Sequence, residues 1–145
     1  MRVVRNNQWL FEGKPFKLEG DCEWVGFVYL ITNTHSGKRY IGKKRFFKSL
    51  SRKPLKGRVN KRRYKVVSDW ENYYGSNNLL QEDVESKGKK HFKREILRLC
   101  TSLGEMSYYE TYLQFQYEVL LNSSNWYNDW IQCKIHRGHL LNLTT

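Results

Sequence analysis

Acidic residues are in short supply in this chain. Its 145 residues hold 14 Asp and Glu against 26 Lys and Arg, a formal charge of +12, and the pI is near 9.7. Between Lys38 and Lys65 there is no acidic residue at all, while fourteen Lys or Arg crowd those 28 positions. A field of one sign so tightly clustered selects a polyanion as partner, because each neutralised phosphate releases condensed counterions. Nucleic acid is the first reading; a solvated basic loop or an anionic membrane surface are the others. Cysteine is scarce too: Cys22, Cys100 and Cys133 are odd in number and far apart, which argues against a disulfide framework and fits a reducing cytoplasm. No apolar run is long enough to span a membrane, and none has the form of a signal peptide. Repeats and low-complexity tracts are missing, so the length suits one domain with one modest core.

What is present is aromatic. Phe, Trp and Tyr make up 15% of the chain and supply the bulky apolar surface that argues against disorder despite the charge. Tyr40, Phe46, Phe47, Tyr64 and Trp70 interleave or border the cations, where they can stack on bases or pack beneath the segment. Trp9 to Phe11 and Phe16 to Leu18 flank the turn composition of residues 12–15, which predicts a small N-terminal hairpin. A second hairpin is expected at about 25–43, because Val25 to Ile31 and Arg39 to Ile41 are aromatic and β-branched around a Ser-Gly-bearing turn. It brings Tyr29 and Tyr40 onto facing strands, an arrangement that is usually no more than a cross-strand contact.

Pro54 and Gly57 discourage one continuous helix in the basic segment. Ser76 is the expected N-cap of a helix from Asn77 to Lys87, with Gly88 ending it, and Phe92 to Leu99 reads as a strand. Ser102 and Glu105 have the spacing of a capping box, predicting a helix to Leu121 with Met106, Tyr109, Leu113, Tyr117 and Leu120 as its apolar stripe. Glu110 interrupts that stripe. A carboxylate on a buried face needs a cation, a donor or a metal ion, and a salt bridge to one of the arginines and a metal site both remain open. Cys133, His136 and His139 are spaced three apart and could present metal ligands, but no fourth ligand accompanies them; surface or satisfied core residues are the commoner outcome. Lys134 and Arg137 beside them are candidates for phosphate contacts.

Val28-Tyr29, Tyr40-Ile41-Gly42, Glu110 after the strand, and Asn128 in Trp126-Tyr127-Asn128 occur in an order that resembles the GIY-YIG nucleases. Asp69-Trp70, Tyr74-Gly75-Ser76 and the run Phe92 to Leu97 look like the small phage-borne group related to free-standing homing endonucleases. The resemblance spans about Val25 to Trp130. It implies an α+β fold, with a small antiparallel three-stranded sheet flanked by helices. An N-terminal β-hairpin extension (1–24) would precede the nuclease domain (25–130), which carries a basic insertion at about 44–68 and is followed by a short tail (131–145). Two features depart from the family pattern. The glycine opening the first triplet is displaced to Gly26, and the family's arginine has several candidates. Lys44 and Arg45 lie nearest the hairpin; counting back from Tyr74-Gly75-Ser76 points to Arg62 and Arg63, of which Arg63 is taken, with Lys44 assisting.

The activity implied by the resemblance is DNA endonuclease chemistry with Mg²⁺ or Mn²⁺ held by Glu110. Tyr29 would be the general base, its pKa lowered by cations such as Lys44. Tyr40 would orient water or phosphate, Arg63 would clamp the scissile phosphate, and Asn128 would fix the last segment near the site. Lys43, Arg45, Arg58, Lys61, Arg62 and Lys65 are the expected DNA contacts. A phage protein acting in the cytoplasm of a bacterial host, as monomer or dimer, is the corresponding setting. A non-catalytic nucleic-acid-binding protein and an RNA-directed nuclease are the alternatives. Both phenols and Glu110 weigh against the first of these, since binding alone needs the cations and not a carboxylate.

Overall fold

A computed structural model describes residues 8–60 and 62–143. Strands β1 (Trp9–Phe11) and β2 (Lys14–Pro15) form the N-terminal hairpin. Its two-residue turn, Glu12 and Gly13, has positive φ at both positions, the type I′ geometry that matches strand twist. Strands β3 (Gly26–Asn33) and β4 (Arg39–Arg45) form the central hairpin. Asn33 shapes its turn by accepting from the His35 and Ser36 backbone N–H groups through Oδ1. Next come β5 (Phe47–Arg52), β6 (Arg62–Val67), a 3-10 turn at Trp70–Asn72, helix α1 (Asn78–Lys87), strand β7 (Phe92–Cys100) and helix α2 (Leu103–Gln116).

The main sheet has five strands in the order β2-β1-β7-β3-β4. It is not the three-stranded antiparallel sheet expected, because β1 adds to the edge of β7 in parallel, with Leu10 opposite Glu95. The basic segment, where Pro54 and Gly57 discouraged one continuous helix, is not helical: β5 and β6 pair as a separate antiparallel ribbon from Phe47 opposite Val67 to Arg52 opposite Arg62.

Side chains alternate across the sheet and build a core on each face. Phe27, Tyr29, Ile31 and Ile96 face one side with Trp9, Phe46, Trp70 and the α1 residues Leu80 and Val84. Val28, Leu30 and Ile41 face the other with Met106, Val119 and Trp126. Gly26 lets α2 approach that second face: a Cβ there would lie 2.6 Å from the Lys44 carbonyl oxygen and from Met106 Cε. The register of β3 on β7 shifts between Val28 and Tyr29, a bulge beside the first phenol.

Three helix signals resolve differently from the sequence reading. Asn77, not Ser76, caps α1, its side chain accepting from Leu80 N–H at 3.0 Å, and Ser76 is left free to meet Tyr40. Ser102 caps α2, but Glu105 does not close a box: its carboxylate takes Thr101 N–H at 2.9 Å and Arg98 Nε at 3.2 Å. Helix α2 ends at Gln116 rather than Leu121, because Glu118 adopts a left-handed φ of 53°. Tyr117 and Leu120 therefore leave the apolar stripe and are exposed.

Candidate active site

The site is organised by the free edge of β4. Ile41 gives its N–H to Asn128 Oδ1 at 3.0 Å, and its carbonyl oxygen accepts from Asn128 Nδ2 at 2.9 Å and Gln114 Nε2 at 3.0 Å. Arg39 N–H donates to the Asn125 carbonyl, and Tyr127 N–H to the Arg39 carbonyl. The outward backbone groups at 39 and 41 are thus satisfied in turn by the segment after α2 and by α2 itself, as an edge strand beside a buried core requires. Asn128 holds this segment in place through two hydrogen bonds. The same segment is tied from behind: the Tyr127 hydroxyl donates to Asp83 at 2.6 Å and accepts from Asn33 Nδ2 at 3.1 Å.

Continuing along that edge, position 43 meets Glu110. Burial pushes the Glu110 carboxyl above its ordinary range, while the charge and backbone N–H of Lys43 pull the other way. The Lys43 ammonium itself goes to Ser107 Oγ at 2.7 Å, one turn earlier on α2. Among the described residues the ion pairs are Lys44–Asp69, Lys93–Glu95 and Arg98–Glu105. Glu110 takes part in none of them.

The phenols come from the hairpin. Tyr29 is opposite Gly42, and Tyr40 is opposite Ile31, which puts both rings on one face with centroids 6.2 Å apart. Gly42 makes this possible, since a Cβ there would collide with the Tyr29 hydroxyl and lie 2.9 Å from Tyr40 Cε2. Tyr29 is fully buried. Its pKa is raised well above the ordinary phenol value, first by burial, then by Tyr73 and Tyr40, by a hydrogen bond with Tyr73, and by Glu110. The expected lowering by cations is therefore corrected. Lys44 is spent elsewhere, 2.7 Å from Asp69 and 4.1 Å above the Tyr73 ring. Tyr40 is also raised, chiefly by burial and against a hydrogen bond to Ser76 Oγ at 3.3 Å.

A family model described as "Putative endonuclease segE, GIY-YIG domain" matches residues 9–131. The chain belongs to the GIY-YIG nuclease family. The match starts at β1, so the strand that widens the sheet lies within it. Neither the curated proteins nor the solved structures returned a match to this GIY-YIG chain.

Not every anticipated residue joins the site. Arg63 stands on β6 opposite Ser51, and no ion pair or ring contact among the described residues joins it to the phenols or Glu110. Arg62 and Lys65 are exposed on the same strand, Arg58 is exposed beyond it, and Arg45 is exposed at the end of β4. Lys61 lies outside the described residues. No cluster of three or more His, Cys, Asp or Glu able to hold a metal occurs among the described residues. The His136 and His139 rings lie 3.7 Å apart, with each Nδ1 accepting a backbone N–H.

The sequence reading missed Tyr73 and Arg94. Buried Arg94 donates to the Glu71 and Tyr73 carbonyls at 2.9 and 2.8 Å, and its guanidinium lies over Trp9 and Tyr74. It seats the loop that carries Tyr73 against Tyr29. The available signal was its place between Phe92 and Ile96 on the alternating, core-facing positions of β7, where the other charged residues near it, Lys93 and Glu95, fall on the opposite face.

Proposed function

We propose that this GIY-YIG domain is a metal-dependent DNA endonuclease. The observation that carries the reading is Glu110: a half-buried carboxylate with no ion-pair partner among the described residues, at the edge of the strand that presents Tyr40. One carboxylate of this kind suits a hard cation that keeps most of its waters, so Glu110 fits Mg²⁺ or Mn²⁺ as its protein ligand. Such an ion supplies charge neutralisation at the phosphorane and at the leaving oxygen.

The side chains supply the rest. Tyr29 is the base candidate, and its hydroxyl projects into the gap that Gly42 leaves. Its raised pKa means the phenol keeps its proton in the resting protein, so it can act as base only after giving that proton to solvent, which positive charge brought near it favours. Lys44 is the candidate for that charge. Its partner Asp69 is three-quarters exposed, and a surface ion pair of this kind contributes about 0–1 kcal/mol, little enough for a phosphate to displace. Tyr40 and Ser76 share a hydrogen bond that can be re-formed to a phosphate oxygen or water. Asn128 and Gln114 keep β4 rigid, so that the phenols and Glu110 hold their separation.

The test is incubation of the purified protein with supercoiled plasmid, with and without Mg²⁺, followed by end mapping. Conversion to open-circular or linear DNA only with the metal supports the proposal, and the ratio of the two forms separates nicking from double-strand cleavage. Retention of DNA without cleavage under either condition overturns it and returns the domain to a binding-only role.

A further inference from the structure

The ribbon of β5 and β6 has two unlike faces. Lys48, Leu50 and Arg52 stand opposite Val66, Tyr64 and Arg62 on one; Ser49 and Ser51 stand opposite Lys65 and Arg63 on the other. On the first face, Arg52 lies 4.3 Å above the Tyr64 ring, and two guanidinium-bearing residues are directly paired across strands. Like charges so placed cost stability in the free protein. None of the ion pairs among the described residues involves a ribbon cation, so this face is held ready for external acceptors. It also leads to the site. Lys48 lines a hollow of about 530 Å³ together with Lys43, Lys44, Asp69 and Ser107, so positive charge runs from the Glu110 edge out along the ribbon.

Dimensions choose the groove. Paired strands lie about 5 Å apart, and six residues extend about 20 Å. With side chains such a ribbon fits the major groove of B-DNA, about 12 Å wide, and not the minor groove of about 6 Å. The major groove of A-form RNA is deep and narrow, and closed to it.

We propose that the β5–β6 ribbon lies in the DNA major groove with its Lys48, Arg52, Arg62 and Tyr64 face toward the bases. The inference rests on DNA being the substrate. On this arrangement Arg52 and Arg62 reach guanine N7 and O6, Leu50 is placed for a thymine methyl, and the opposite face adds only charge through Arg63 and Lys65.

The test uses binding alone, so that it does not depend on turnover. Full-length Glu110→Gln protein in EDTA is used to enrich duplexes from a random-sequence pool. The enriched duplex is then lightly methylated at guanine N7 and partitioned into bound and free fractions. The expected result is at least a threefold depletion of methylated guanines from the bound fraction, with no displacement by the minor-groove ligand netropsin. In Arg52→Ala/Arg62→Ala protein the depletion should vanish, whereas Arg63→Ala/Lys65→Ala protein should bind more weakly and keep it. Failure to enrich any sequence, displacement by netropsin, or depletion that follows Arg63 and Lys65 instead would each overturn the proposal. Plasmid cleavage by the wild type is scored separately: methylation interference without cleavage would sink the endonuclease reading and leave the ribbon assignment standing.

Discussion

Gly42→Ala should disable this enzyme through a single methyl group. Gly42 sits directly across from Tyr29, and the added Cβ would collide with the phenol hydroxyl, lying 2.7 Å from Tyr29 Cζ and 2.9 Å from Tyr40 Cε2. Carbon contacts normally settle near 3.5–4.0 Å, so one ring must move by about 1 Å. Tyr29 cannot do so cheaply, since Trp9, Phe27 and Tyr73 wall its ring at centroid distances of 5.2, 6.0 and 6.0 Å. Overpacking of this kind costs about 1–3 kcal/mol, which for a domain of this length lowers Tm by roughly 3–10 °C. A misplacement of about 1 Å at reacting groups costs on the order of 100-fold in rate. Thermal and urea unfolding measure the first effect and plasmid cleavage under single-turnover conditions the second. Gly20→Ala is the control, because a Cβ there meets nothing within 4 Å. If Gly42→Ala kept both the Tm and the cleavage rate of the control, the phenols would not be seated against this glycine and the site geometry would be wrong.

Three further outcomes are expected. Burial raises the Glu110 pKa, so its contribution to stability is complete below the unfolded value near 4.3 and is lost as pH rises through the folded one; in EDTA, Glu110→Gln should melt above the wild type at pH 7, with the gap closing toward pH 4, and should lose plasmid cleavage. A neutral-pH Tm at or below that of the wild type would contradict the burial argument. Tyr29→Phe should fold normally and lose most activity, and near-normal turnover would return the phenol to a packing role. Asn128→Ala removes the acceptor of the Ile41 N–H while Gln114 still serves the carbonyl, costing about 1–3 kcal/mol; hydrogen exchange at the Ile41 amide should accelerate, and unchanged protection would show that water or another group replaces Asn128.

Much of this arrangement could be read from residue order, and the parts that could not share a cause. The hairpin carrying Tyr29 and Tyr40 was legible because its strand composition, its turn and its length are all local properties. Strand β7 and the α1 stop at Gly88 were legible for the same reason. The parallel pairing of Trp9–Phe11 with Arg94–Ile96 was not, because it joins segments more than eighty residues apart and nothing in either segment names its partner. The ribbon at 47–67 was hidden by its own charge. Cationic strands with few β-branched residues resemble a solvated loop until the register pairs Leu50 with Tyr64 and seats Arg52 on that ring. The end of α2 turned on one backbone angle at Glu118, which no periodicity of Tyr117 or Leu120 reveals.

The phenol pKa marks the deepest limit of the sequence view. Fourteen cations within 28 residues suggest a field that should ease ionisation of any nearby tyrosine, and the inference fails for two physical reasons. Charge acts on a buried group only after desolvation has been overcome, and Tyr29 is wholly enclosed by rings. The cations of β4 are also unavailable to it: Lys44 is committed to Asp69 and the Tyr73 ring, and Lys43 stands across from Val28 on the other face of the sheet and goes to Ser107. The net field at the hydroxyl is therefore set by Tyr73, Tyr40 and Glu110, which all oppose ionisation. With Tyr29 as the proposed base, the resting site keeps it protonated until a phosphate displaces Asp69 and frees Lys44 to approach the hydroxyl. On the proposed reading, substrate binding and activation of Tyr29 are thus one event rather than two.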